Sequence, residues 1–158
     1  MAPLSDSALT ASSIHDSNHG TQRSRLNTEG SYGAWSTLTN IPDEYIQADF
    51  GETRAVQRVA LQGRWDTDQW VTEFKFSYAV NNPAVESNWE YILDGSGNER
   101  VFAGVSDRNT IVEHDFTPTL ARYVRVHPTA WLGHISLRWE VYGCEPSFSN
   151  EWGMFTNN

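Results

Sequence analysis

The sequence predicts an all-β domain, an antiparallel sandwich or barrel, on three observations. Apolar residues recur at every second position, helical periodicity is missing, and the alternating runs are separated by clusters of turn-forming residues. Ile46, Ala48 and Phe50 alternate with Gln47 and Asp49, and Phe74, Phe76 and Tyr78 alternate with Lys75 and Ser77. Val124 and Val126 alternate with Arg125 and His127. The clearest run sets Ile135, Leu137, Trp139 and Val141 against Ser136, Arg138, Glu140 and Tyr142. Each is expected to bury one face and wet the other. Residues 17–20, 39–43, 81–83 and 94–98 are rich in Gly, Ser, Asn, Asp and Pro and read as turns. Many short strands with no helix pattern between them argue against an α/β fold.

A chain of 158 residues with 39% hydrophobic positions buries one core and is too short for two ordinary domains. Residues 1–144 are therefore read as one domain. Residues 145–158, polar with Phe148, Trp152 and Phe155 interspersed, read either as a tail or as an added edge segment. The net charge of −9 predicts repulsion from nucleic-acid phosphates and from anionic membranes, so neither is the expected partner. No apolar run approaches membrane-spanning length, and residues 1–10 lack the basic start and apolar stretch of a secretory signal. A lone cysteine, Cys144, excludes an intrachain disulfide and leaves the redox compartment open.

Catalysis is not expected. The sequence has no nucleophile-elbow motif, no His-Glu-x-x-His, no paired Cys-x-x-Cys and no Gly-rich phosphate loop.

Three groups of motifs resemble the discoidin family, the coagulation factor V/VIII C-type domain. The first is Leu9-Thr10-Ala11-Ser12-Ser13, Arg23-Ser24-Arg25-Leu26-Asn27 and Ala34-Trp35. The second is Val59-Ala60-Leu61-Gln62-Gly63-Arg64, Asp68-Gln69-Trp70-Val71-Thr72 and Gly104-Val105-Ser106-Asp107-Arg108-Asn109-Thr110. The closing group is Val126-His127-Pro128-Thr129-Ala130-Trp131, Gly133-His134-Ile135-Ser136-Leu137-Arg138 and Glu140-Val141-Tyr142-Gly143-Cys144. They fall in family order over about residues 3–144, and the middle and late groups are most similar to the slime-mould discoidins. The resemblance implies an antiparallel jelly-roll-like β-sandwich with ligand loops at one end. It also implies carbohydrate binding of the galactose type, an extracellular or cell-surface setting and a role in cell adhesion. The family's shared scaffold hosts protein and phospholipid recognition as well, so the ligand has to be argued from the loops. Most members join their ends through two cysteines. Cys144 matches the second, and no cysteine precedes Pro3-Leu4, which leaves an idle thiol or an interchain disulfide.

By this resemblance residues 14–21, part of residues 28–40 and residues 63–69 crowd at the ligand end. A sugar site needs planar donors and acceptors for hydroxyls and an aromatic face for the C–H patch of the ring. The third loop offers both, in Arg64, Trp65, Asp66, Asp68 and Gln69. Its bland alternative is a solvated turn with an Arg–Asp pair on the surface. Discoidins typically carry Gly where Trp65 stands. From the first loop His15, Asp16, Asn18 and His19 are candidates to complete the pocket, against the simpler reading of a hydrophilic loop. Tyr32, Thr37 and Asn40 lie where protein-binding relatives place ligand contacts, and Trp35 reads mainly as a core pillar. Asp107 and Arg108, with His134, read as a turn that pins two strands. Membrane-binding relatives place bulky apolar tips on the first loop, where this chain offers only Ile14, so membrane insertion is not expected.

No cofactor is required on this reading. Sugar-binding relatives admit Ca2+, and Glu29 and Glu140 occupy roughly the places of its acidic ligands, leaving most of six to eight oxygens to backbone carbonyls. The expected partner is a glycan or glycoprotein. Weak single-site affinity, which lectins raise by multivalency, implies a homo-oligomer. Recognition of a protein or peptide by the same loops is the alternative, and phospholipid binding ranks last.

Overall fold

The computed structural model describes residues 3–144; the segment 145–158 and the Cys144 side chain, with the readings attached to them, lie outside the described residues. Eight strands follow in chain order: β1 (Leu9–Ala11), β2 (Trp35–Ser36), β3 (Ile46–Gln62), β4 (Trp70–Ala79), β5 (Glu90–Tyr91), β6 (Phe102–Ala103), β7 (Val112–Leu132) and β8 (Ser136–Cys144). Among the described residues the helical content is limited to single 3-10 turns at Asp6–Ala8, Ser17–His19, Thr21–Arg23 and Glu86–Asn88. The strands are joined in the order β2-β8-β3-β7-β4-β5, with β1 on β3 and β6 on β4, and every ladder is antiparallel. The fold is a jelly-roll-like β-sandwich.

Two long strands build most of it, and breaks in their register let them bend. Between the pairs Asp49↔Tyr123 and Arg54↔Ala121, residues 50–53 of β3 face only Arg122 of β7. Gly51 sits in this bulge at φ +78°, a left-handed conformation that costs glycine nothing. Arg122 fastens the bend by donating to both carboxylate oxygens of Asp49, at 2.9 and 3.1 Å. Pro128, which has no N–H for a ladder, falls opposite Phe74 next to another break. The bent strands enclose one continuous core that includes Trp35, Ile46, Leu61, Phe74, Phe76, Phe102, Val124, Val126, Ile135 and Leu137.

Alternation placed the core-facing residues of these strands correctly, but the expectation of a wet second face fails on three of them, including β4, where Ser77 is wholly buried. Arg125 of β7 is buried because Tyr45 and Trp89 stack on its guanidinium from 3.9 Å each. Ser136 and Arg138 of β8 are wholly buried because turns of the first half of the chain lie across them. Loops, rather than solvent, cover those faces.

Beside Arg125, Ser77 Oγ and His127 Nε2 lie 2.7 Å apart. Burial, then the charges of Arg125 and Lys75, push the His127 imidazole down to about 4. The folded value lies below the unfolded one near 6.5. The neutral ring therefore stabilises the fold fully above pH ~6.5, and that contribution is lost as pH falls toward about 4. We expect a loss of up to about 3 kcal/mol over this window. Thermal melts of His127→Gln should show a flatter dependence on pH between those limits; an equally steep profile would remove His127 as the cause.

Candidate functional site

The chain enters β4 and β8 at the same end of the molecule, where Trp70 pairs with Leu132 and β8 begins four residues later. The three sequence-predicted loops meet there. The N–H of His15 donates to Ser36 O (2.8 Å), and the N–H of Trp65 donates to Gly33 O (3.2 Å). Asp66 Oδ2 accepts the N–H of Tyr32 at 3.1 Å, holding that residue at φ 63°. Gly33 is required by close approach: a side chain on it would meet the Cβ of Trp65 at 2.4 Å. Trp65, the departure from the discoidin pattern, thus sets its backbone and Cβ against the second loop and is itself partly buried.

Arg64 organises the third loop. Its Nε and Nη2 donate to the two Asp66 oxygens at 2.6 and 3.2 Å, and its Nη1 donates to Gln69 Oε1 at 2.9 Å. Gln69 Oε1 also accepts from Ser136 Oγ (3.1 Å), which ties the array to the start of β8. The Arg64 hydrogen bond pulls the Asp66 carboxyl down to about 2, so the pair persists throughout the physiological range. Two of the five guanidinium N–H donors stay clear of these bonds. Asp68 points elsewhere and takes Arg108 Nε at 2.7 Å. Asp107 accepts from the N–H of Asn109 and from both the N–H and hydroxyl of Thr110, the compact turn expected of it.

The first loop contributes rings. Asp16 accepts from Asn18 N–H and from His19 Nδ1, both at 2.8 Å, so it starts the Ser17–His19 turn and orients a buried imidazole. The hydrogen bond to His19 is also the main reason its carboxyl sits below the usual range. His15 stands edge-on between His19 (5.1 Å between centroids) and His134 (5.6 Å), and Tyr32 closes the row at 5.0 Å from His19. Asn18 is exposed and contributes its backbone N–H. Asn40 bridges to the His134 turn. Trp35 is wholly buried beneath, its indole N–H on Ser13 O at 3.0 Å, as a core pillar should be.

Sequence reasoning missed several contributors or their roles. His134 was grouped with Asp107 and Arg108, yet its ring joins the first and second loops. Gln69, one polar group among several in the third loop, is the hinge of the Arg64 array. Buried Glu44 gathers the hydroxyls of Ser12, Ser13 (2.7 Å) and Thr39 (3.1 Å), and Ser13 Oγ in turn accepts the N–H of Leu38 at 3.0 Å. Beyond the first loop, whose exposed apolar residue is Ile14, Leu38 and Ile41 are exposed by 59% and 47%. Position just ahead of the strongest strand was the available signal for His134; nothing local marks the others.

Glu29 and Glu140 are both exposed. Glu140 Oε1 accepts the N–H of Val141, and no group of three or more His, Cys, Asp or Glu able to hold a metal exists among the described residues. Calcium there would take its remaining oxygens from carbonyls and water.

The bent-strand sandwich with polar and aromatic loops at one end defines a discoidin-type recognition domain. The F5/8 type C domain family model matches residues 8–141, and the chain belongs to that family. It is 42% identical over 132 residues to a Discoidin-1 polypeptide of Dictyostelium discoideum, covering 83% of this chain and 47% of that protein. Retinoschisin of Takifugu rubripes is 36% identical over 123 residues, 77% of this chain and 43% of its own length. The solved structure of wild-type discoidin II from Dictyostelium discoideum superposes with a TM-score of 0.76 at 32% identity, over 85% of this chain and 53% of that one. The chain spans about half the length of the curated relatives it matches.

Proposed function

We infer that this domain is a lectin-like, non-catalytic carbohydrate-binding module whose loop end takes a terminal galactose or N-acetylgalactosamine. One observation carries the reading. The preorganised Arg64-Asp66-Gln69 array, with donors and acceptors left for hydroxyls, stands on loops hydrogen-bonded to those that carry the His15, His19, Tyr32 and His134 rings. Rings and charged hydrogen-bonding groups on one rim are what a sugar's two faces require. The similarity to the discoidins supports the same reading, with a cell-surface role in adhesion and a homo-oligomer to raise avidity. A glycan array probed with both monomeric and oligomerised protein should show galactose-terminated hits; no signal above background in either format would remove the lectin reading.

The exposure of Ile14, Leu38 and Ile41 on the same loops favours a second reading, recognition of a protein partner. Binding would then survive glycosidase treatment of the partner. Phospholipid binding is the third. The charge of −9 and the exposed Asp16 predict no flotation with phosphatidylserine liposomes at physiological salt, and flotation there would revive it.

A further inference from the structure

His134 and Asn40 are 94 residues apart in sequence and close a hydrogen-bonded ring whose polarity admits one protonation state. The N–H of Ile135 donates to Asn40 Oδ1 at 2.8 Å, which fixes the orientation of the amide. Asn40 Nδ2 then faces His134 Nδ1 at 3.1 Å, so Nδ1 must accept. The other ring nitrogen, Nε2, lies 2.7 Å from the carbonyl oxygen of Thr37, which only accepts, so Nε2 must carry the proton. These partners select the Nε2–H tautomer. A second proton has one place to go, Nδ1, where it would confront the Asn40 amide protons. Flipping the amide does not help, because Nδ2 would then confront the N–H of Ile135.

We propose that this ring is an acid-release latch on the ligand end: protonation of His134 breaks the Asn40 bridge, loosens Asn40 from the start of β8 while Thr37 stays bonded to Ile135 O, and lowers ligand affinity. The groups around the ring favour release over accommodation. The first loop presents His15 at 5.6 Å, with His19 behind it and the Asp16 carboxylate spent on His19. Thr37 and Asn40 face it from the second loop. Across the turn, Asp68 O and Gln69 approach Gly133, while Arg64 and Asp66 are already paired. No carboxylate bonds to His134 among the described residues, so an added proton meets neighbouring imidazoles instead of a counter-charge.

The latch itself is independent of what the loops bind; only the released ligand rests on the glycan reading. Two measurements separate them. In ligand-free protein, imidazole 15N shifts of His134 should report the Nε2–H tautomer at pH 7.5. Exchange protection of the Ile135 N–H should then fall as pH is lowered to 5. With galactose-terminated oligosaccharide as probe, affinity should drop severalfold over the same interval if only the unlatched form takes the second proton. Asn40→Asp supplies the discriminating variant. Its carboxylate accepts from both Ile135 N–H and a protonated Nδ1, so protection should persist at pH 5 and the ratio of the two affinities should collapse toward one. A Nδ1–H tautomer at pH 7.5, or protection unchanged by acid in the parent protein, overturns the latch. An opening latch with no sugar bound at either pH overturns the glycan reading and leaves the latch standing.

Discussion

Replacing Arg138 with Met is expected to destabilise the domain by about 3–5 kcal/mol, the largest single effect at any position outside the apolar core. Arg138 is wholly buried on β8 and reaches four acceptors from three different turns. Its Nε donates to Gly63 O (2.7 Å), Nη1 to Thr28 O (2.8 Å), and Nη2 to Arg108 O (2.7 Å) and Asn109 Oδ1 (3.0 Å). Methionine fills much of the volume but leaves three carbonyls without this donor, Gly63 O buried and Thr28 O and Arg108 O partly so, each worth up to roughly 1–3 kcal/mol. Lysine should rescue little, because one ammonium on a flexible stem cannot span acceptors laid out for a planar fork. Differential scanning calorimetry should place the Met variant on the order of 10 °C below the parent. A melting point matching the parent would mean that the turns hold their places without the guanidinium.

Gly63 sharpens the point. A side chain there would meet Asp107 O at 2.5 Å, so the start of the third loop lies directly on the Asp107–Arg108 turn, and Arg138 sits where both converge. Stability and loop placement are therefore coupled at one residue. Loss of Arg138 is expected to blunt ligand binding by disordering the third loop.

What the sequence revealed, and what it hid, follows from the range of the interactions. The alternation around Ile46, Phe74, Val124 and Ile135 is local, because successive side chains of a strand point to opposite faces, and it located four core strands. The lengths of β3 and β7 were hidden by their own bends: residues 51–53 and Pro128 break the alternation where the strands bulge, so one strand reads as fragments. Burial of Arg138 was illegible, since its acceptors lie 29 to 110 residues away and most are backbone carbonyls, which leave no mark in a sequence. The third loop was legible because Arg64, Asp66 and Gln69 are near neighbours and bond one another. His134 was hidden because its partners, Thr37 and Asn40, lie on the far side of three long strands in the chain.

The prediction with the largest expected effect on binding concerns Arg64. Arg64→Ala should abolish measurable galactose binding, because a charge-assisted contact to ligand hydroxyls contributes about 1.5–3 kcal/mol, most of the usable affinity of a weak lectin. The structure adds an indirect route to the same loss. Without Arg64, Asp66 loses the partner that aims it at the N–H of Tyr32, and Gln69 keeps only Ser136. Arg64→Lys separates the two routes: a lysine retains charge near Asp66 but cannot bridge to Gln69 as well, so partial binding would point to charge and none to geometry. Trp65→Ala should cost less, on the order of 1 kcal/mol, since Trp65 is already partly buried with its Cβ against Gly33. Asp107→Ala is expected to lower thermal stability, because three donors from Asn109 and Thr110 lose their acceptor, while leaving binding in place. Isothermal titration with galactose, alongside melts of each variant, reads both quantities. Should Arg64→Ala bind as the parent does while Asp107→Ala stays folded and loses binding, the sugar lies against Asp107, Arg108 and His134, and the Arg64 array is a structural brace for the third loop.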